Sequence, residues 1–356
     1  MKRALLLFFA GFVLQPVVAS ENIADATAKF LAGLPVRGTA LEKQSLDPEW
    51  ATHAAEMDRA WNRLEQEQLS KIQEWGPQVL GDFYNGAAPV FYFFSGPDFL
   101  YADAFFPNAR TYILCGKEPV GPLPNIAAIP SNGLPAALGN LRKSLDSVLS
   151  WSFFISKQLR IDIAQTQLNG TLPVLYVFVA RAGATIESAS LVSLDKDGNI
   201  LDGDKGKTPG VKIVFAKSAG TDQTLYYFCT DVSNDGIKSA PGFIKFCEKQ
   251  APGMSLLKAS SYLLHEGGFE NARDFLLTRS EIVVQDDSGI PFRYFVTNKW
   301  NIRFCGNYAG PTQTFKQFWQ PDLANAYHAT TTAPLRFGFG YEWRPDRSSL
   351  IVAVRK

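Results

Sequence analysis

Apolar residues recur along this chain in two patterns. The run Val90–Phe94 is continuous, as expected of a strand buried on both faces. Leu225–Cys229, Lys212–Ala216, Pro173–Val179 and Ser188–Leu194 read as further strands. Elsewhere the spacing is helical. Trp50, Ala54, Met57, Trp61, Leu64 and Ile72 form one stripe, opened by Asp47-Pro48-Glu49 and expected to stop at Gly76-Pro77. Leu138, Leu141, Leu145, Val148 and Leu149 form a second stripe within a long helix expected from Ala136 to Gln167. Gly236–Lys249 reads as a helix and Asp195-Lys-Asp-Gly198 as a hairpin turn. Phe292–Val296 with Trp300–Phe304, and Leu335–Trp343 with Leu350–Val354, read as two more hairpins.

Two stretches share one layout. Phe99, Ala102 and Phe105 fall on Phe269, Ala272 and Phe275 at a constant offset of 170, and each set runs into an apolar segment, Thr111–Cys115 or Glu281–Val284. The shared unit is strand, polar turn, short helix, strand. The expected fold is therefore α/β, with a mixed, largely parallel sheet, flanking helices and two halves related by duplication. Antiparallel hairpins belong to the second half and the C-terminus. The halves are expected at 20–170 and 171–356, after a leader at 1–19.

That leader sets the expected compartment. Lys2 and Arg3 precede an apolar run from Ala4 to Leu14, and Val17 and Ala19 suit signal-peptidase cleavage after Ala19. The run is too short to span a bilayer. The expectation is an exported protein, periplasmic or extracellular, with no transmembrane anchor after cleavage. Losing Lys2 and Arg3 leaves 33 Lys+Arg against 34 Asp+Glu, a formal charge of −1. A near-neutral chain of mixed charge does not suggest a nucleic-acid partner. Of the four cysteines, Cys115, Cys229 and Cys305 sit in apolar runs and read as buried thiols; with Cys247 their spacing matches no zinc pattern, and no disulfide pairing follows from it.

Candidate chemistry is sought at the carboxyl ends of the strands, where open α/β sheets bind ligands. Ser95-Gly-Pro-Asp98 departs from a nucleophile elbow and suits a helix cap headed by Ser95, one that can also hold an anion. Ser95, Asp98 and Lys117 are therefore candidate binding residues. His265, at the end of an apolar run, is the histidine best placed as general base or metal ligand; His53 is expected to be solvated on its charged helix. Asp286-Asp287-Ser288-Gly289 offers adjacent carboxylates, or a turn. With Asp231, these make His265, Asp286 and Asp287 the candidate catalytic set. No Walker loop or Gly-x-Gly-x-x-Gly is present, so no cofactor is implied. The first functional expectation is a non-catalytic binding or envelope-associated protein. The alternative is an exported hydrolase or metal-dependent enzyme built on His265, Asp286 and Asp287.

Overall fold

The computed structural model describes residues 22–151, 153–154, 159, 162–164, 167–217 and 220–356; the expected leader at 1–19 and parts of 152–166 lie outside them. Among the described residues ten strands form one mixed sheet, in the order β4-β3-β5-β6-β2-β1-β7-β8-β10-β9. They are β1 Val90–Tyr92, β2 Thr111–Gly116, β3 Thr185–Leu194, β4 Ile200–Asp202, β5 Thr208–Ala216, β6 Asp222–Cys229, β7 Gly253–Leu257, β8 Ser280–Gln285, β9 Trp300–Gly306 and β10 Ser349–Arg355. The central five, β6-β2-β1-β7-β8, run parallel. The β3–β5 excursion is antiparallel on one side, and β10 lies antiparallel between β8 and β9 on the other. The expected α/β class is the observed one. Strands from both expected halves join the same sheet, through the β1–β7 and β2–β6 pairings.

The winding of the chain places the helices. From β1 the chain steps to β2 and then, beyond the helices Leu134–Trp151 and Leu172–Arg181, to β6; it then returns to the other side of β1 with β7 and β8. Parallel crossovers are right-handed, so steps in opposite directions lay their helices on opposite faces. The alternating strand residues record this. Val90, Tyr92, Tyr112, Leu114, Leu256 and Val284 face one core with the helix Phe99–Phe105. Phe91, Phe93, Ile113, Cys115, Leu257 and Val283 face the other, with Ala272, Phe275 and Leu276 of the helix Glu270–Arg279. Residue 269 onward matches the offset of 170, but β1 and β7 do not, because six more residues separate β7 from its helix. The likeness is thus confined to helix and second strand, and the expected duplication is not shown.

Several local expectations give way to tertiary packing. Residues Leu172–Arg181 form a helix rather than a strand. Pro173 sits in its first turn and every residue from Leu172 to Ala180 is buried, a setting in which apolar periodicity cannot separate helix from strand. The helix begun at Pro48, capped by Asp47 accepting from the Glu49 amide at 2.8 Å, continues through a π turn at Glu65–Leu69 and passes Pro77 to end at Leu80. Gly76 is needed there because the Tyr84 ring occupies the space of a side chain. Residues 234–248 form two short helices divided at Pro241. Phe292–Tyr294 is a 3-10 turn, so the strand at Trp300 pairs with β10 instead. Residues 335–343 form no strand; Gly340 has φ +74° and Phe337 and Phe339 turn into the core. Cys115, Cys247 and Cys305 are buried and Cys229 is partly exposed, and burial pushes the Cys115 thiol up to about 12. No helix among the described residues is long and apolar enough to cross a membrane.

His53 is fully buried, not solvated. Its Nε2 donates to the Leu31 carbonyl at 2.9 Å, and its Nδ1 accepts from the Arg142 guanidinium at 2.9 Å. Burial, opposed by the Leu31 bond and aided by the charges of Arg142 and Arg181, lowers its pKa from 6.5 to about 4. Between these two values the unfolded chain binds the proton and the folded one does not, so stability falls as pH drops from 6.5 to 4. His265 shifts the same way. The His53→Gln variant, which keeps an amide for Leu31, is expected to remove on the order of 3 kcal/mol of that acid-side loss, read from urea denaturation at about pH 7 and about pH 4.

Candidate functional site

A cavity of about 560 Å³ opens at the carboxyl ends of β1, β2, β6 and β7. This is the point where the strand order reverses, and doubly wound sheets bind ligands there because the two neighbouring crossovers leave on opposite faces. Its size is that of a small-molecule site. Phe94, Ser95, Gly96 and Asp98 line it from the turn after β1; Gly116, Lys117 and Glu118 from β2; Thr230 and Asp231 from β6; Lys258, Ala259 and Ser261 from β7. Phe153, Phe269, Phe315 and Tyr341 form an aromatic wall over the β7 side. Tyr341 joins two of the other rings, its centre 5.1 Å from Phe153 and 4.9 Å from Phe315.

Backbone strain gathers at this crevice. Among the described residues the non-glycine positions with positive φ are Phe94, Ala259, Ser261 and Tyr262, all just past β1 or β7. Left-handed backbone at such side chains costs of order 1 kcal/mol or more each, and persists where surrounding structure imposes it. Asp286 is part of that imposition. It is buried at the end of β8 and accepts from the Ala259 amide at 3.1 Å, the Ser288 amide at 3.1 Å and the Ser288 hydroxyl at 2.5 Å. Gly340 is required above it, since a Cβ there would stand 1.9 Å from Asp286 Oδ2.

The turn after β1 carries the helix cap expected there, but on a different residue. Asp98, not Ser95, caps Phe99–Phe105, accepting from the Tyr101 amide at 3.2 Å. Pro97 precedes it and offers no amide proton. The Ser95 hydroxyl donates toward the Gly96 carbonyl at 2.8 Å and the Cys115 carbonyl at 3.3 Å. Asp98 Oδ2 also accepts from the Tyr92 hydroxyl at 2.8 Å and pairs with Lys258 Nζ at 2.8 Å, both side chains being almost fully buried. The Lys258 ammonium stands over the Tyr101 ring, 3.1 Å from its centre. Burial outweighs the Asp98 charge and lowers the lysine from 10.5 to about 8.

Glu118 is a carboxylate that local sequence does not single out. It is 1% exposed and lines the cavity. One of its oxygens accepts from the Tyr227 hydroxyl at 3.4 Å, and it takes part in none of the ion pairs found among the described residues. Gly116 makes room for it: a Cβ at that glycine would lie 2.2 Å from Glu118 Oε2. The signal that could have found it is an acid closing the second strand, 22 residues after Gly96. Lys258 escapes sequence reasoning because nothing in its local sequence distinguishes it from a surface lysine.

The remaining candidates divide. Lys117 and Asp231 face each other across the cavity mouth at 2.8 Å, half-exposed, and Asp231 also accepts from the Ser233 amide at 2.9 Å. His265, Asp286 and Asp287 are not among the lining residues. The His265 ring packs on Tyr262 and Phe318, with ring centres 5.2 and 5.5 Å apart, and its Nε2 is buried without a hydrogen-bond partner; burial lowers its pKa to about 4. Asp287 accepts from the Tyr262 hydroxyl at 2.8 Å, and burial beside the Asp286 charge raises its pKa. Among the described residues no group of three or more His, Cys, Asp or Glu is arranged to hold a metal ion. No protein-family model, curated protein or solved structure matches this chain.

Asp286 is expected to act on the site through Ala259 and Ser288. Asp286→Ala leaves the donors of both without their acceptor in a closed space, a loss of about 3 kcal/mol or more in denaturant unfolding, whereas Asp231→Ala at the exposed mouth is expected to change stability by less than about 1 kcal/mol.

Proposed function

We propose that the protein binds a ribonucleoside-containing small molecule in the cavity at the strand-order reversal, with Glu118 accepting from the ribose hydroxyls. The observation that carries this reading is Glu118 itself: a carboxylate 1% exposed, facing a cavity, with one long side-chain hydrogen bond and no ion pair among the described residues. Burying a carboxylate without such partners is costly, and a pair of ligand hydroxyls would supply them. Its place at the end of the second strand is where doubly wound folds put the acid that grips a ribose. Asp231, one strand further out after β6, and its partner Lys117 would then face the base.

The turn after β1 argues against a phosphorylated ligand. A phosphate at a helix N-terminus needs free backbone amides and no competing anion. Here Pro97 removes one amide and the Asp98 carboxylate occupies the cap. The charged lining residues are Asp98, Glu118 and Asp231 against Lys117 and Lys258, a formal −1. A neutral or cationic nucleoside suits that field; a pyrophosphate does not. The reading narrows the expectation of an exported binding protein, with the leader cleaved after Ala19. The hydrolytic alternative draws less support, because His265, Asp286 and Asp287 do not line the cavity.

Thermal denaturation with a panel of nucleosides and their phosphates tests this. At least one free nucleoside, adenosine being the first to try, is expected to raise Tm in a concentration-dependent way, and its 5′-diphosphate to do so less. The matching 2′-deoxynucleoside should bind about tenfold or more weakly, as loss of a hydrogen bond to a charged group predicts. Glu118→Gln should narrow that ribose preference. Absence of any nucleoside effect on the unaltered protein, or an undiminished ribose preference in Glu118→Gln, refutes the assignment.

A further inference from the structure

The buried Lys258–Asp98 pair is not explained by ribose binding. It stands on the two sides of the strand-order reversal, Asp98 heading the helix after β1 and Lys258 closing β7, and both residues line the cavity. An internal ion pair of this kind is not a strong source of stability, since desolvating both charges offsets most of their attraction. The surroundings nevertheless fix it closely. Tyr92 donates to the carboxylate, the Tyr101 ring lies under the ammonium, and Asp286 holds the amide of Ala259, the residue next to Lys258, in a left-handed backbone. Such supporting contacts are what hold a recognition group in place.

We propose that the Lys258–Asp98 pair is the subsite for an α-amino-acid group carried on the 5′ side of the nucleoside, the ligand carboxylate resting against Lys258 and its ammonium against Asp98. The inference rests on the nucleoside reading and extends it along the cavity. The pair presents both signs side by side, so a zwitterion meets a complement where a simple anion meets Asp98 and a simple cation meets Lys258. Both subsites line the same cavity, and Gly96 lines it with them. Gly96 lies between Glu118 and Asp98, and a Cβ there would already be 3.4 Å from Glu118 Oε2. With a φ of +55° and no side chain, it leaves only backbone at that part of the cavity wall. The formal −1 of the lining also favours a ligand that adds one positive charge to its zwitterion, as a sulfonium-linked amino acid does.

Calorimetric titration of the full chain with three probes decides the matter: adenosine, 5′-methylthioadenosine and S-adenosylhomocysteine. The last two share nucleoside and sulfur and differ in the amino-acid group. S-adenosylhomocysteine is expected to bind at least ~10-fold tighter than 5′-methylthioadenosine, the scale of a charge-assisted contact. In Lys258→Met the two should become equal within about threefold, and in Lys258→Arg, which keeps the charge, part of the preference should survive. Equal affinities on the unaltered protein overturn the amino-acid subsite while leaving the nucleoside reading standing. A preference that persists in Lys258→Met overturns it as well. If none of the three probes binds, the amino-acid subsite is overturned as stated, and the nucleoside reading falls with it only where no nucleoside of the thermal panel raises Tm. Should Lys258→Met fail to fold, the probe pair on the unaltered protein and on Lys258→Arg still separates these outcomes.

Discussion

The reversal of strand order between β1 and β7 is the constraint on which the rest of this structure depends. Right-handed crossovers in two directions lay one helix on each face, so no connection crosses the crevice between the ends of the two strands. The backbone must leave both strands sharply, and the left-handed residues Phe94, Ala259, Ser261 and Tyr262 mark where it does. Holding those turns requires groups that fit nowhere else in the fold. Asp286 is committed to the Ala259 and Ser288 amides, and Gly340 must lack a side chain to let it lie there. The aspartate that looked like catalytic chemistry in the sequence is bonded into the walls of the crevice.

The carboxylates around the reversal differ in one respect that separates their roles. Asp98 has a lysine, a tyrosine hydroxyl and a backbone amide, so its burial is accounted for, and its place in the proposed subsite rests on its pairing with Lys258 instead. Asp231 is half-exposed and meets Lys117 in solvent, where a pair of charges is worth little. Glu118 is buried like Asp98 but, unlike either aspartate, joins no ion pair among the described residues. A fold tolerates that state when another group completes the charge's hydrogen bonds. His265 ranks low for another reason: its ring lies against Tyr262 and Phe318, outside the cavity lining, and burial lowers its pKa.

Much of the frame was legible in the chain. Continuous apolar runs found β1, β2 and β6, and the Asp-Gly turn found the β3–β4 hairpin, because these signals arise within a few residues of one another. What failed were segments decided by distant partners. Leu172–Arg181 is apolar almost all round and became a helix because it is enclosed on nearly every side; Pro77 stayed within a helix whose Gly76 accommodates the Tyr84 ring. The candidate site divides the same way. Ser95, Asp98, Lys117 and Asp231 follow strand-like runs and were found at strand ends, and all four line the cavity. Glu118 and Lys258 become distinctive through burial, and burial is a property of the assembled sheet.

The 170-residue echo takes on a physical meaning in this frame. Its two helices begin at matching positions, yet they pack on opposite faces because one follows a step to one side of the sheet and the other a step to the opposite side. Units so placed point their polar turns at one crevice from both sides, so each need carry only part of a site. The turn after β1 is short and brings Gly96 and Asp98 close to the sheet; the turn after β7 is six residues longer, and it carries Lys258 to Asp98 and Ser261 to Tyr341, at 2.8 and 3.0 Å. The likeness ends at these turns, and across the reversal they supply different groups. Lys258, directly after β7, would meet Asp98 whatever the length of the turn; what the extra residues add is the reach of Ser261 to Tyr341.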